Sequence, residues 1–303
     1  MPAAPTPRRI VDGVLLLDKP SGITSNAALQ TARRLFAARK AGHTGTLDPM
    51  ASGLLPLTFG EATKFSQMLL DADKTYEAGV KLGIQTDTGD AEGTVLSVQP
   101  VDVSEAELRA ALAKFTGEIE QTPPMYSALK RAGKPLYEYA RAGIEIERAS
   151  RRITITELTL LAFQKDHFDI RVECSKGAYI RSLAMDIGAA LGCGAHLDTL
   201  RRTRIGDFDL SGSTTLDALN ATAPAQRDAL LAPVDALLKG FPKLELESAD
   251  ARLILQGQPL CRKMNFPPVD CVRLYGPDGF LGLGQWKEDG RLWPKRLIGC
   301  PCG

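Results

Sequence analysis

The chain has 303 residues, 44% of them hydrophobic and 24% charged, which suits an ordinary globular protein of about two domains with a full core. Lys and Arg total 37 against 36 Asp and Glu, so a net charge of +1 excludes a polycation, and any nucleic-acid partner must be met by local basic patches. The longest apolar runs, such as "GVLLLD" and "SGLLPLTFG", fall far short of the roughly 20 residues of a membrane span, and "MPAAPTPRRI" lacks a signal-peptide apolar core; a cytoplasmic location is expected.

Residues 1–10, with three prolines and no periodicity, read as a flexible tail. "GVLLLDKPSGITS" gives a short buried strand, a turn at Lys19-Pro20-Ser21-Gly22, and Thr24 or Ser25 as a helix cap. "NAALQTARRLFAARK" spaces Leu29, Ala32, Leu35 and Phe36 as an amphipathic helix with a basic outer face. "LLPLTFGEATKFSQMLLDADK" supplies a strand-like run and a helix, and "TYEAGVKLGIQTDTGDAEGTVLSV" alternates around a polar turn as paired strands do.

"SEAELRAALAKFTGE" is a helix with Ser104 as cap and Glu107 in the capping-box position. "RRITITELTLLAF" and "HFDIRVECS" alternate as strands, and "AYIRSLAMDIGAALG" is a helix closed by Gly192. Helices and strands are interspersed without a regular beta-alpha period, so the expected class is α+β with a mixed, largely antiparallel central sheet flanked by helices. Prolines 224, 233 and 242 lead to an expected border near residue 245, separating a unit over 11–245 from a small all-β module over 246–303 with Pro-Asp-Gly and Glu-Asp-Gly turns.

The six cysteines, at 174, 193, 261, 271, 300 and 302, have no regular spacing and read as reduced thiols. The usual C-x-x-C pair is missing, so no metal is expected of them. With three His residues and no G-x-S-x-G, H-E-x-x-H or P-loop pattern, metal-dependent and Ser-His chemistry are set aside.

Carboxylate chemistry and recognition remain. "HTGTLDPMASG" puts Asp48 among small residues, where a bulky planar substrate could approach its carboxylate; a turn or helix-cap aspartate is the plainer local account. Arg181 in "GAYIRSL", just inside a helix, could pair with a carboxylate arriving from elsewhere, or be a surface arginine. Tyr179 and His43 could each stack on a base, or serve packing and turns, while Tyr76, at the start of a strand, reads more simply as packing.

"SALKRAGKPLYEYARAG" and "LRRTRIG" are basic patches, the first with interleaved tyrosines, whose charges could follow a phosphate backbone or coat a solvated helix face. "LGIQTDTGDAEG", with Asp87 and Asp90, lacks the calcium-loop pattern and reads as a hairpin turn.

Six stretches, "GVLLLDKPSGITS", "AGHTGTLDPMASGLLPLTFGEATK", "KTYEAGVKLGIQTDTGD", "QTPPMYSALKRAGKPLYEYARAG", "CSKGAYIRSLAMDIG" and "GAHLDTLRRTRIGDFDL", resemble in order the motifs of bacterial tRNA pseudouridine synthases of the TruB type, over roughly residues 10 to 210. The resemblance implies isomerisation of uridine 55 in the T-arm loop of tRNA to pseudouridine, with base flipping and neither cofactor nor metal. It makes Asp48 the nucleophile and Arg181 its partner. Tyr76 would stack on the uracil and later accept a proton, Tyr179 and Leu200 would line the base pocket, and His43 would fill the space vacated in the RNA or hold a displaced base.

Lys19-Pro20 resembles a motif that supports the active-site loop, and the C-terminal module resembles, more loosely, a PUA-like RNA-binding domain. Ala178 departs from the Thr usual in that family before the pocket tyrosine. The expected partner is tRNA, bound by a monomer away from any membrane. A tRNA-folding chaperone acting on the elbow is the second reading; a glycoside hydrolase would want two cooperating carboxylates, and only Asp48 has a suitable setting.

Overall fold

The computed structural model describes residues 7–261 and 271–299. In chain order, β1 (Gly13–Lys19), α1 (Ser25–Leu35), β2 (Ala41–His43) and β3 (Ser52–Phe59) are followed by β4 (Lys74–Leu82), the hairpin of β5 (Ile84–Thr86) and β6 (Val95–Val98), α2 (Glu105–Ala113) and β7 (Gly117–Gln121). An excursion over 122–150 holds the short helix α3 (Leu136–Arg141). Then come β8 (Arg151–Gln164), β9 (His167–Cys174), α4 (Ile180–Ala190) and β10 (Ala195–Ile205).

The central sheet runs β1, β3, β10, β4, β9, β8, β7, with β2 also on β3 and Thr214–Thr215 outside β1. It is mixed and largely antiparallel: β3–β10 and β1–Thr214 are the parallel contacts along it. α1 starts where Thr24 accepts from the Ala27 amide, and α2 carries the complete Ser104/Glu107 capping box, each satisfying amides that a helix start leaves open.

β3 explains its unbroken apolar run by being covered on both faces. Leu55, Leu57 and Phe59 join the large core with α1 and α4, while Leu54 joins a second core with Phe65 and Leu238. Each such leucine, removed from water, contributes about 1.5–3 kcal/mol.

"LRRTRIG", expected as a patch for phosphates, is instead the end of strand β10. Arg202 is 1% exposed and Arg201 is ion-paired with Asp18 at 2.7 Å; of the three arginines only Arg204 is exposed. On the side facing β3, β10 has ladder contact at Arg201–Arg202, opposite Ser52–Gly53. At its other end Leu197 exchanges backbone hydrogen bonds with Gly89 and Ala91. Between those ends, residues 198–200 have no ladder partner on that edge among the described residues.

A separate four-stranded sheet contains β11 (Lys243–Glu245), β12 (Val272–Gly276), β13 (Gly279–Trp286) and β14 (Leu292–Leu297), in that order, with one helix, α5 (Ser248–Leu255), beside it. It therefore begins at Lys243. It meets the larger unit through Arg273 and Asp235, 3.1 Å apart, a Lys64 Nζ bond to the Leu297 carbonyl, and an edge-on Phe65–Phe280 ring contact.

The tail expected over 1–10 lies outside the described residues as far as residue 6, and Arg9 is bonded through its backbone to Ala37 and Arg39. Cys174, Cys193 and Cys271 are buried free thiols and Cys261 an exposed one; Cys300 and Cys302 lie outside the described residues. Among the described residues no helix is long and apolar enough to cross a membrane.

Candidate active site

Asp48 lies on the loop between β2 and β3, which is anchored on both sides of it. Gly45 O accepts from Arg202 Nη2 at 3.0 Å. Ser25 Oγ accepts from the Leu47 amide at 2.8 Å and donates to its carbonyl at 2.9 Å. Pro49 O accepts from the Gly22 amide at 2.8 Å and lies 3.4 Å from Lys19 Nζ. With its backbone pinned, the loop leaves the Asp48 side chain free to face a cavity.

Lys19 is fully buried and donates also to Pro20 O and Ile23 O. Burial pulls its pKa down to about 8, against the opposing charge of Asp48. Such a cation ties turn and loop together from inside.

Arg181, in the first turn of α4, is 3% exposed, and its donors are spread over the site. Nε lies 2.9 Å from Asp48 Oδ2 and 3.5 Å from Asp90 Oδ2; Nη1 donates to Thr88 O at 3.0 Å and Nη2 to Tyr126 O at 2.6 Å. Burial raises the Asp48 pKa, the Arg181 charge lowers it, and Asp90 raises it again, leaving it above the ordinary carboxylate value. Desolvation is the largest of the three effects.

Two cavities meet at this ion pair. A small one of about 90 Å³ is lined by Asp48, Arg181, Tyr76, Tyr179 and Leu200. A larger one of about 580 Å³ is lined by Asp48 and Arg181 together with His43, Asp90, Ser127 and Arg141. The five other residues singled out in the sequence thus lie around the Asp48 carboxylate.

Burial raises the Tyr76 pKa, so its phenol is neutral at ordinary pH, and burial with the nearby Arg202 charge lowers that of His43. The His43 Nδ1 is buried without a hydrogen-bond partner. Tyr179 is fixed by Gln121, which bonds its amide at 2.7 Å and its carbonyl at 3.0 Å. Ala178, beside it, packs on the main core.

Three residues of the site are not legible in the sequence. Asp90, expected in a hairpin turn, is 4% exposed and is a second carboxylate facing Arg181, so Asp48 is not the single carboxylate in a suitable setting. Ser127, 4% exposed, has a buried Oγ with no partner in the wall of the larger cavity. Arg202, expected among phosphate contacts, is internal. Nothing in a turn-rich or basic stretch distinguishes these from their solvated neighbours.

The glycines around Asp48 have a different use from substrate access. A Cβ on Gly53 would meet the Arg202 carbonyl at 2.2 Å, and one on Gly45 would face the Arg202 guanidinium at 3.5 Å, with φ at +103° and +84°. They let the loop and β3 press against β10.

Comparison with known proteins locates this arrangement. Residues 33–180 match the model described as TruB family pseudouridylate synthase (N terminal domain), and 181–239 the tRNA pseudouridylate synthase B C-terminal domain. Residues 242–298 match Pseudouridine synthase II TruB, C-terminal. A protein named tRNA pseudouridine synthase B from Azoarcus sp. (strain BH72) is 68% identical over 300 residues, 98% of each chain. The chain belongs to the TruB family of pseudouridine synthases.

A namesake from Ralstonia nicotianae (strain ATCC BAA-1114 / GMI1000) is 58% identical over 97% of this chain and 96% of its own. Among solved structures, one titled as an H/ACA RNP bound to a substrate RNA containing 2'-deoxyuridine aligns with a TM-score of 0.70 and 25% identity, over 95% of this chain and 85% of that one. A Cbf5-Nop10-Gar1 complex aligns at 0.67 and 28%, over 90% and 78%. In this TruB family chain the match boundary at 180/181 falls within α4, beside the Asp48 ion pair.

Proposed function

We propose that this chain isomerises uridine 55 in the T-arm loop of tRNA to pseudouridine, as a monomer and without cofactor or metal, with Asp48 as nucleophile. The observation that carries the reading is the Asp48–Arg181 pair at 2.9 Å, standing where a base-sized cavity joins a larger one in a TruB family chain. A target inside a folded loop must be flipped out to reach such a site, and the unstacked base then needs apolar and aromatic walls. Tyr76, Tyr179 and Leu200 supply them, and His43 takes the space the base leaves.

The ionised Asp48 carboxylate acts at the ribose while Arg181 holds it oriented and charged in a site of low polarity. Uracil leaves C1', turns within the small cavity, and rejoins through C5. Direct attack on C1' and assisted loss of uracil through a glycal both need the same carboxylate. Tyr76 then takes up the C5 proton. We read the unit from residue 11 to the start of the four-stranded sheet at Lys243 as catalytic, and the rest, from Lys243 and not from the expected border at 245, as a PUA-like module that adds RNA contact.

Asp48→Asn with a T-arm RNA tests the reading. Pseudouridine formation should fall by on the order of 10³-fold or more while RNA binding persists. Unchanged turnover would remove Asp48 from the chemistry, and unchanged tRNA-folding activity beside lost turnover would separate a chaperone role from catalysis.

A further inference from the structure

Arg202 is a guanidinium at 1% exposure with no carboxylate beside it in any ion pair among the described residues. Burying an unneutralised charge is among the most expensive things a fold can do, and an apolar side chain of similar size would pack there at lower cost. Its hydrogen bonds show what it holds. Nε donates to Leu54 O at 2.8 Å and Nη2 to Gly45 O at 3.0 Å.

β2 covers the edge of β3 at Leu57–Phe59 and β10 covers it at Ser52–Gly53, leaving Leu54 between them. The guanidinium fills that interval, standing in for a ladder strand and gripping the loop three residues before Asp48. Across the sheet, Arg202 is the register partner of Tyr76 in the β4–β10 ladder, so the two side chains leave the same face and the guanidinium charge bears on the phenol.

We propose that Arg202 is a positioning residue for the reaction, holding the Asp48 loop at Gly45 and stabilising the phenolate form of Tyr76 that takes the C5 proton. This rests on the reading of the chain as a pseudouridine synthase in which Tyr76 is the proton acceptor. Tyr76, neutral at rest, first gives its proton to solvent, a loss that burial opposes and the Arg202 charge favours; the C5–H bond then breaks and its proton passes to the phenolate oxygen, restoring the phenol. The electron pair of the bond forms C5=C6, and the N1=C6 pair moves onto N1. N1 takes a proton from solvent, matching the one Tyr76 released, so the net change is isomerisation.

Burial opposes the phenolate and Arg202 is the group that favours it. The other groups bearing on Tyr76 are Cys174 on β9 and Asp48, both of which disfavour its ionisation; His43 and Lys74 are in turn made harder to protonate by Arg202. Arg202 is thus the favourable charge at this oxygen among the groups that bear on it.

The test uses the full chain and T-arm RNA whose target uridine carries deuterium or hydrogen at C5, with Arg202→Met and Arg202→Lys variants. Arg202→Met should lose turnover about tenfold or more and acquire a primary isotope effect, because C5 deprotonation becomes rate-limiting. Arg202→Lys, which keeps the charge and loses the fork, should lie between it and the parent chain. Lost turnover with no isotope effect in either variant, or full turnover in Arg202→Met, overturns the proposal. If Arg202→Met does not fold, Arg202→Lys decides alone: a raised isotope effect supports the proposal and an unchanged one overturns it. A parent chain that makes no pseudouridine would instead overturn the reading of the reaction itself.

Discussion

The floor of the cleft and the 122–150 excursion carry the same kinds of cation and use them in opposite ways. In the floor, Lys19, Arg181 and Arg202 are buried, and their donors end on backbone carbonyls of the loops they hold or, for Arg181, on two carboxylates. In the excursion, Lys130, Arg131, Lys134 and Arg141 are exposed; Arg131 touches the Glu147 carbonyl and Arg141 lies over the Tyr137 ring at 5.4 Å. Inward cations act as chain fasteners whose removal disturbs geometry, while outward ones are free to meet a polyanion. The contrast can be broken at either end.

The floor should respond most. Gly53→Ala drives a Cβ into the Arg202 carbonyl at a left-handed φ, and the unfolding free energy should fall by about 3 kcal/mol or more in urea denaturation. Gly42→Ala, whose Cβ would meet nothing nearer than Thr58 Oγ1 at 3.4 Å, should change it by less than about 1 kcal/mol. Equal midpoints for the two would show that the loop does not depend on its contact with β10.

The excursion should respond in binding alone. Replacing Lys130, Arg131 and Lys134 together by Ala should weaken T-arm RNA binding by about tenfold and flatten the log–log salt dependence by about 0.7–0.9 for each phosphate that is no longer neutralised. Turnover at saturating RNA should hold. A salt slope like that of the parent chain would mean these charges are merely solvated.

The smallest effect concerns the two carboxylates on Arg181. In the proposed reaction Asp48 acts ionised, so its raised pKa places the acid limb of kcat/KM above the ordinary carboxylate value, activity falling as pH drops through it. Asp90→Asn removes a charge that raises the Asp48 pKa and leaves Arg181 to Asp48, so the limb should move to lower pH, by less than about one unit. A shift to higher pH would contradict the electrostatic balance.

Local structure is legible wherever local chemistry decides it: the Thr24 and Ser104 caps, the alternation of β8 and β9, and the turns of the C-terminal sheet. β10 is not, because its end reads Leu-Arg-Arg-Thr-Arg-Ile, and a strand whose arginines are spent inside the protein has the composition of a solvated face. Asp90 is hidden for a related reason. Its burial depends on Arg181, 91 positions later, and on a loop bonded to β10. Gly53 of "HTGTLDPMASG" carries a true signal of close approach, but what approaches is the chain's own backbone at Arg202, while Gly45 is called for by its left-handed φ. Asp48 and Arg181 stand out only through the family motifs, since no local rule joins a loop aspartate to a helix arginine so far along the chain.

The uncovered edge of β10 sets the size of an aperture. Its rims are Leu197, bonded to the loop at Gly89 and Ala91, and Arg201, paired with Ser52, four residues later. The register of β10 on β4 shifts between Leu197 and Thr199, so these residues span three ladder steps, Val80 to Glu77, and at about 3.3 Å per step the opening is about 10 Å, with Leu200 in it. The span between its rims is therefore counted in backbone units, so a substitution along β10 changes what lines the opening, whereas a one-residue insertion or deletion would change the span itself and turn Leu200 to the opposite face of the sheet in the same step.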